Sequence, residues 1–241
     1  MSTGVRNIHA LESDGGPAHP PPMRWGLALA ALLMLNACIP HGRTPPRRAP
    51  RPGPPPTTIV RPNPQELTEC HVDLARAGVQ FRVLPDQVFS GGCSALGAVQ
   101  LLDIGVPVTN LRAMTCPLAL AFVHWAREAV QPAAAQYLGT RVTRVETFGT
   151  YSCRTVDSVP GARLSEHARA NAVDVSGFTL ADGRHVSVQQ DWKGEDERVR
   201  RFLRAVHREG CRRFAIGLSP DSDAYHYNHM HFDMGRGPYC R

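Results

Sequence analysis

One stretch separates the part of this chain that cannot fold from the part that can. Residues 40–65 read PHGRTPPRRAPRPGPPPTTIVRPNPQ. Proline and arginine at that density leave too few apolar side chains to bury a core. They favour extended polyproline conformation, a semi-stiff spacer. A globular unit therefore has to be built from residues 66–241, enough for one domain of ordinary size. The charge lies mostly ahead of it. Arg6, Arg24, Arg43, Arg47, Arg48, Arg51 and Arg61 against Glu12 and Asp14 put five of the six net positive charges in residues 1–65. The basic balance is thus a property of the tail and gives no reason to expect nucleic acid as a partner. Such a tail can touch anionic lipid or wall polymer, or act simply as a solvated linker.

Upstream, residues 23–38 read MRWGLALAALLMLNAC: a basic start, a short apolar core and small residues before a cysteine. That is signal-peptide order, and the apolar run is too short for a permanent membrane span. Leu35-Asn-Ala-Cys38 resembles a bacterial lipoprotein box, which implies a lipidated Cys38 at the mature N-terminus, with Met23 as the true start. Ile39 offers no inner-membrane retention signal, so the expected location is the periplasm, anchored to the outer membrane. An ordinary signal peptide or a buried apolar segment is the alternative. The expected organisation is a signal peptide over 1–38, a disordered linker over 39–65 and a folded domain over 66–241.

Beyond Cys38, six cysteines remain: Cys70, Cys93, Cys116, Cys153, Cys211 and Cys240. An even, scattered count without a CxxC pair, in a chain with an export signal, reads as three disulfides, for which fifteen pairings are open. Proximity in sequence favours Cys70–Cys93 and Cys211–Cys240. The spacings do not suit zinc thiolates.

Within the domain, residues 66–110 read as short elements and turns, with strands over 79–83 and 98–102 and a cysteine-held turn at SGGC. PLALAFVHWAREAVQ (117–131) opens with proline and carries Leu118, Phe122, Trp125 and Ala126 at helical spacing, with Pro132 limiting its continuation. Residues 142–148 read as a strand, and 173–178 and 185–188 as a hairpin over Ala-Asp-Gly. A second helix over 195–209 has Val199, Phe202, Leu203 and Val206 on one face and Gly210 where it would end. Its arginines, Arg198, Arg200, Arg201 and Arg204, read as a solvated face. The last strand is HMHFDM, 229–234. The expected class is α+β: a small antiparallel sheet with flanking helices, preceded by a disordered Pro-rich tail.

The chemistry-bearing residues are in SEHARANAVD (165–174) and His229-Met-His231. His167, Asp174 and a later histidine suffice as three protein ligands for a zinc ion that keeps a position open. On a strand His229 and His231 face the same side, so one can bind metal while the other serves the chemistry. A lone His-x-His is more often surface or core; two motifs in order give the metal reading its weight. His124, His185 and His207 sit in helix or strand patterns and read as structural. His226 is as consistent with a loop as with a site, and Trp192 with the core as with a cleft wall.

Ser165-x-His167-x-x-Ala170-x-Ala172-x-Asp174 is similar to the SxHxxGxAxD pattern of D-Ala-D-Ala carboxypeptidase-type zinc peptidases, with Ala170 in place of glycine. His229-x-His231 is similar to the second motif of a wider group that includes lysostaphin-type endopeptidases and hedgehog domains. The span from Cys70 to Cys240 more closely resembles the bacterial extensin-like C-terminal domain family, through YSCR, LSEHARANAVDVSGF, Asp191-Trp192, FLRAVHREGC and HYNHMHFD. The resemblance implies a peptidase- or hedgehog-like fold, zinc as cofactor, and His167, Asp174 and His231 as its ligands. It implies His229 as general base, Arg154 as partner of a substrate carboxylate or developing oxyanion, and Ser165 and Asp233 orienting the imidazoles. The implied substrate is a peptide bond in peptidoglycan. A non-catalytic wall-binding module of the same fold is the alternative, and a wall protein whose tail is the functional part a weaker third.

Overall fold

The computed structural model describes Ile59 and residues 61–241. The signal peptide, Cys38 and most of the linker lie outside those residues. The chain enters the domain through helix α1 (Pro64–Arg76), where short elements and turns were expected. Asn63 caps it, its side chain accepting the Gln65 N–H at 2.9 Å, and Pro64 takes the first position. That proline reads as the end of the spacer, yet a proline with no N–H to lose is well suited to start a helix. Cys70 and Leu74 are its buried residues.

Strands β1 (Gln80–Val83), β2 (Ala98–Asp103) and β3 (Met114–Thr115) form a small antiparallel sheet in that order. Helix α2 (Cys116–Trp125) follows directly. Pro132 does not stop it. Helical turns continue to Leu138 and close at Gly139, which adopts φ 69°. A widened π-type turn at Ala126–Val130 precedes the proline. It relaxes the packing of the ring against the previous turn, where a regular helix would clash.

The main sheet uses β4 (Val142–Gly149), β5 (Ala172–Leu180), β6 (His185–Ser187), β7 (Ile216–Leu218), β8 (Met230–Asp233) and β9 (Tyr239–Cys240). Helix α3 (Glu197–Arg213) separates β6 from β7. The strand order is β9-β7-β8-β5-β4, with β6 also on β5; β9 runs parallel to β7 and the other pairs are antiparallel. The architecture is α+β, with small antiparallel sheets and a few helices. Among the described residues no helix is long and apolar enough to cross a membrane.

One face of the sheet makes the core. Val173, Val175 and Phe178 of β5 and Met230 and Phe232 of β8 are buried with Phe122 and Trp125 of α2 and Phe202 and Leu203 of α3. Each large apolar side chain so buried contributes about 1.5–3 kcal/mol. The Trp125 indole N–H donates to the Val206 carbonyl at 2.8 Å, joining α2 to α3. Asp196 caps α3 by accepting the Arg198 N–H at 2.8 Å. The helix does not end at Gly210. It runs on to Arg213, and Gly210 is buried against Phe232, where a Cβ would lie 2.2 Å from a ring carbon. Absence of a side chain, not a left-handed turn, is what this glycine supplies.

The disulfides are Cys70–Cys116, Cys93–Cys153 and Cys211–Cys240, with Cα separations of 6.1, 5.7 and 5.6 Å. Only the last agrees with pairing by proximity. Cys70 lies on the inner side of α1 and meets the first residue of α2, so it is out of reach of Cys93. Cys93 instead ties the turn after Ser90 to the segment carrying Arg154. His124 pairs with Glu128, His185 with Glu146, and Trp192 is in the core beneath the Arg204 guanidinium. His207 is buried between Trp192 and Phe232.

Candidate metal centre

Strand alternation places Asp174, His231 and Asp233 on the sheet face opposite the core. The β8–β5 register sets His231 directly across from Asp174 and Asp233 across from Ala172. His167 arrives from a 3₁₀ turn, Glu166–Arg169, capped by Ser165, whose hydroxyl accepts the His167 N–H at 3.3 Å. The turn closes with Ala170 at φ 55°. Glycine would adopt this conformation at no cost, and for alanine it costs about 1–2 kcal/mol. The methyl group is fully buried beside Ala95 and Ala98 and returns about 0.8 kcal/mol of that. The departure from the glycine of the pattern therefore leaves the turn intact.

The three side chains converge. His167 Nε2 lies 3.1 Å from Asp174 Oδ2 and 3.2 Å from His231 Nδ1, and His231 Nδ1 lies 2.8 Å from Asp174 Oδ1. All three residues are buried. Their outer contacts fix which nitrogens are free. His167 Nδ1 lies 3.1 Å from the Thr150 carbonyl, which can only accept, so Nδ1 carries the proton and Nε2 presents a lone pair. His231 has a carboxylate against each nitrogen, Asp233 Oδ2 2.8 Å from Nε2 and Asp174 Oδ1 2.8 Å from Nδ1, so Asp233 would keep the Nε2 proton in place when Nδ1 gives its own up to a metal. Two imidazole nitrogens and a carboxylate thus face one point. Ligand atoms held tetrahedrally at about 2.0–2.2 Å from zinc are about 3.3–3.6 Å apart, so outward shifts of a few tenths of an ångström from the observed separations suit that ion. The donor set fits zinc. A second cluster, His207 with Cys211 and Cys240, does not compete, because its thiols form a disulfide.

The electrostatics follow from burial and pairing. Burial alone would raise the Asp174 carboxyl, but His167 and His231 reverse this and hold it well below the ordinary carboxylate range. Burial opposes charge on His231, yet Asp174 and Asp233 outweigh it and carry the imidazole up to about 9. His229, just ahead of β8, has Nε2 3.4 Å from Asp174 Oδ1 and Nδ1 2.8 Å from the Asn228 side-chain oxygen. Burial pushes it down to about 4 against the pull of Asp174. Arg154 approaches from the other side, 4.0 Å from Asp174 Oδ2.

The structure therefore brings together every site residue expected from sequence within the domain: His167, Asp174, His231, His229, Arg154, Ser165 and Asp233. It adds His226, which the sequence leaves open between loop and site, and Thr150, which the sequence does not single out. His226 is part of the cluster, its ring 5.1 Å from His229 and 5.6 Å from His231, with Nδ1 2.8 Å from Asp223 Oδ1. The spacing His226-x-x-His229-x-His231 carried that signal. Thr150 acts through its backbone carbonyl and left no side-chain signature. A cavity of ≈ 1130 Å³ opens over the centre, lined by Arg154, His226, His229 and His231, and extends to Arg163 and Tyr239.

Comparison with curated proteins found no match, and no solved structure matches the chain. The family model described as "Extensin-like protein C-terminus" matches residues 68–241, which include both histidine segments and all six domain cysteines. The chain belongs to that extensin-like family.

Proposed function

We propose that this is an exported, lipid-anchored zinc peptidase of the periplasm, held at the outer membrane through Cys38, that hydrolyses peptide bonds of peptidoglycan. The observation that carries this reading is the convergence of His167 Nε2 and His231 Nδ1 on the Asp174 carboxylate at the base of a large cavity that His231 lines. His167, Asp174 and His231 would hold the ion. When bound, zinc polarises the scissile carbonyl and makes water acidic enough to attack near neutral pH.

The remaining roles belong to the chain. His229 lies beside Asp174 with Nδ1 directed at the Asn228 side-chain oxygen, so its Nε2 is the nitrogen left to exchange a proton. It takes the proton of the attacking water and returns it to the leaving amine as the C–N bond breaks; the water's hydroxyl stays on the carbonyl carbon. Arg154 offers its guanidinium to the developing oxyanion or to a neighbouring carboxylate. Ser165 holds the turn that presents His167, and Asp233 fixes the His231 tautomer.

A second reading, a wall-binding module without turnover, is favoured by one observation: the three candidate ligands also satisfy one another at 2.8–3.2 Å, an arrangement that keeps the shape of the cleft without chemistry. Metal analysis of the purified chain beside digestion of muropeptides separates the two. His167→Ala is expected to lose zinc, and His229→Ala to keep zinc and lose cleavage. Stoichiometric zinc with no cleavage of any cross-linked or pentapeptide substrate would overturn the peptidase reading.

A further inference from the structure

The cavity over the metal centre is lined by four arginines and four carboxylates that are unequally engaged within the protein. Its carboxylates are mostly engaged within the protein. Glu166 accepts from the Asn171 amide at 2.8 Å, and Asp223 and Asp233 each lie 2.8 Å from a histidine nitrogen. Arg169 pairs with Glu166 at 3.6 Å, but the arginines of the neighbouring ribbon are not so engaged. Arg154 comes no closer than 4.0 Å to a carboxylate, and among the described residues Arg163 makes no side-chain hydrogen bond or ion pair. Unpaired guanidinium groups in a concave site are matched by anions, and the planar fork matches carboxylates best.

The two arginines are held in fixed relation. Residues 154–156 and 163–165 form a short antiparallel ribbon: Thr155 bridges Leu164, the Ser165 N–H donates to the Arg154 carbonyl at 3.1 Å, and the Val156 N–H donates to the Arg163 carbonyl at 2.9 Å. In this register Arg154 faces Ser165 and Val156 faces Arg163, all on the ribbon face opposite Thr155 and Leu164. Arg154 and Arg163 are therefore diagonal neighbours on one face, about 7–8 Å apart. Arg154 stands at the metal end beside Asp174, and the Cys93–Cys153 disulfide anchors the base of the ribbon.

We infer that Arg163 is a second carboxylate subsite, and that the cleft is built for a doubly acidic peptide whose carboxylates stand about two residues apart. An extended peptide rises about 3.3 Å per residue, so two residues span the offset between the arginines. The inference deepens the peptidase reading and rests on it for the position of the scissile bond, but the binding it describes is separable from turnover.

The test uses the full chain and two synthetic peptides, one with carboxylates two residues apart and one with the distal carboxylate amidated, titrated with the metal-free and the zinc-loaded protein. Amidation is expected to weaken binding about tenfold, as loss of a charge-assisted contact does. Arg163→Gln is expected to bind the diacid about tenfold more weakly and to abolish the difference between the peptides. Equal affinity of the native chain for both peptides overturns the subsite, as does a difference that survives in Arg163→Gln, or no binding of the diacid. Arginine-dependent binding without cleavage sustains the subsite and counts against the peptidase. Cleavage that ignores amidation overturns the subsite and leaves the peptidase reading standing.

Discussion

Replacing Gly210 with alanine should destabilise the domain, although the same change in most helices stabilises. At an exposed helix interior the substitution gains about 1 kcal/mol, because glycine carries the largest backbone entropy. Here a Cβ would sit 2.2 and 2.5 Å from two ring carbons of Phe232. The ring cannot swing away, since it is fully buried with its centroid 4.9 Å from Phe214 and 5.5 Å from Trp125. Overpacking of this kind costs about 1–3 kcal/mol or more, so the cost exceeds the propensity gain and leaves a net loss of about 1–2 kcal/mol. For a domain of this size that is a fall in Tm of about 2–8 °C, measured by calorimetry with the disulfides oxidised. Phe232 lies between His231 and Asp233, so the displaced strand should also weaken metal binding in an equilibrium titration. A Tm equal to or above that of the native chain would refute the packing argument.

Four further outcomes follow from the same contacts. Burial drives His207 down to about 4 from an unfolded value near 6.5, so the unfolded chain binds the extra proton between those values. Its contribution is complete above pH 6.5 and is lost as pH falls towards 4, a change of about 3 kcal/mol that urea midpoints should register and His207→Phe should flatten. Asp233→Asn should weaken zinc binding about 10- to 100-fold by releasing the His231 tautomer, read by competition with a chelator. Ser165→Ala should cost about 1 kcal/mol of stability and lower zinc occupancy, since it removes the cap of the turn that presents His167. Replacing Cys93 and Cys153 together by alanine should cost about 2–5 kcal/mol, and a drop in Arg154-dependent peptide binding alongside the lowered Tm would show that the bridge also positions the cleft.

The site was more legible in the sequence than the fold that carries it. A candidate ligand set has strict chemical requirements, so His167, Asp174 and His231 stand out by residue type and order, and the His-x-His spacing brings in His229, although it lies just ahead of β8 rather than on it. The elements misjudged were those with ambiguous local signals. Pro64 begins a helix but follows a run of prolines that form none, and Pro132 is tolerated through a turn geometry that residue identity does not encode. Gly210 could end a helix or admit a neighbour; the choice depends on Phe232, which is distant in sequence. Disulfide partners depend in the same way on where α1 comes to rest, so nearness along the chain misled for Cys70 and Cys93. Thr150 and Arg163 were passed over because their significance lies in a backbone atom and in a ribbon register.

The pairing of β8 with β5 has one more consequence. Met230, His231, Phe232 and Asp233 serve the hydrophobic interior and the polar cleft by turns, one residue to each. A slip of the strand by a single position would turn Phe232 into the cleft and drive both His231 and Asp233 into the oil beneath Trp125. No such misaligned chain could gather the ligand set. An ion bound by His167, Asp174 and His231 would therefore report that the strand has found its mate.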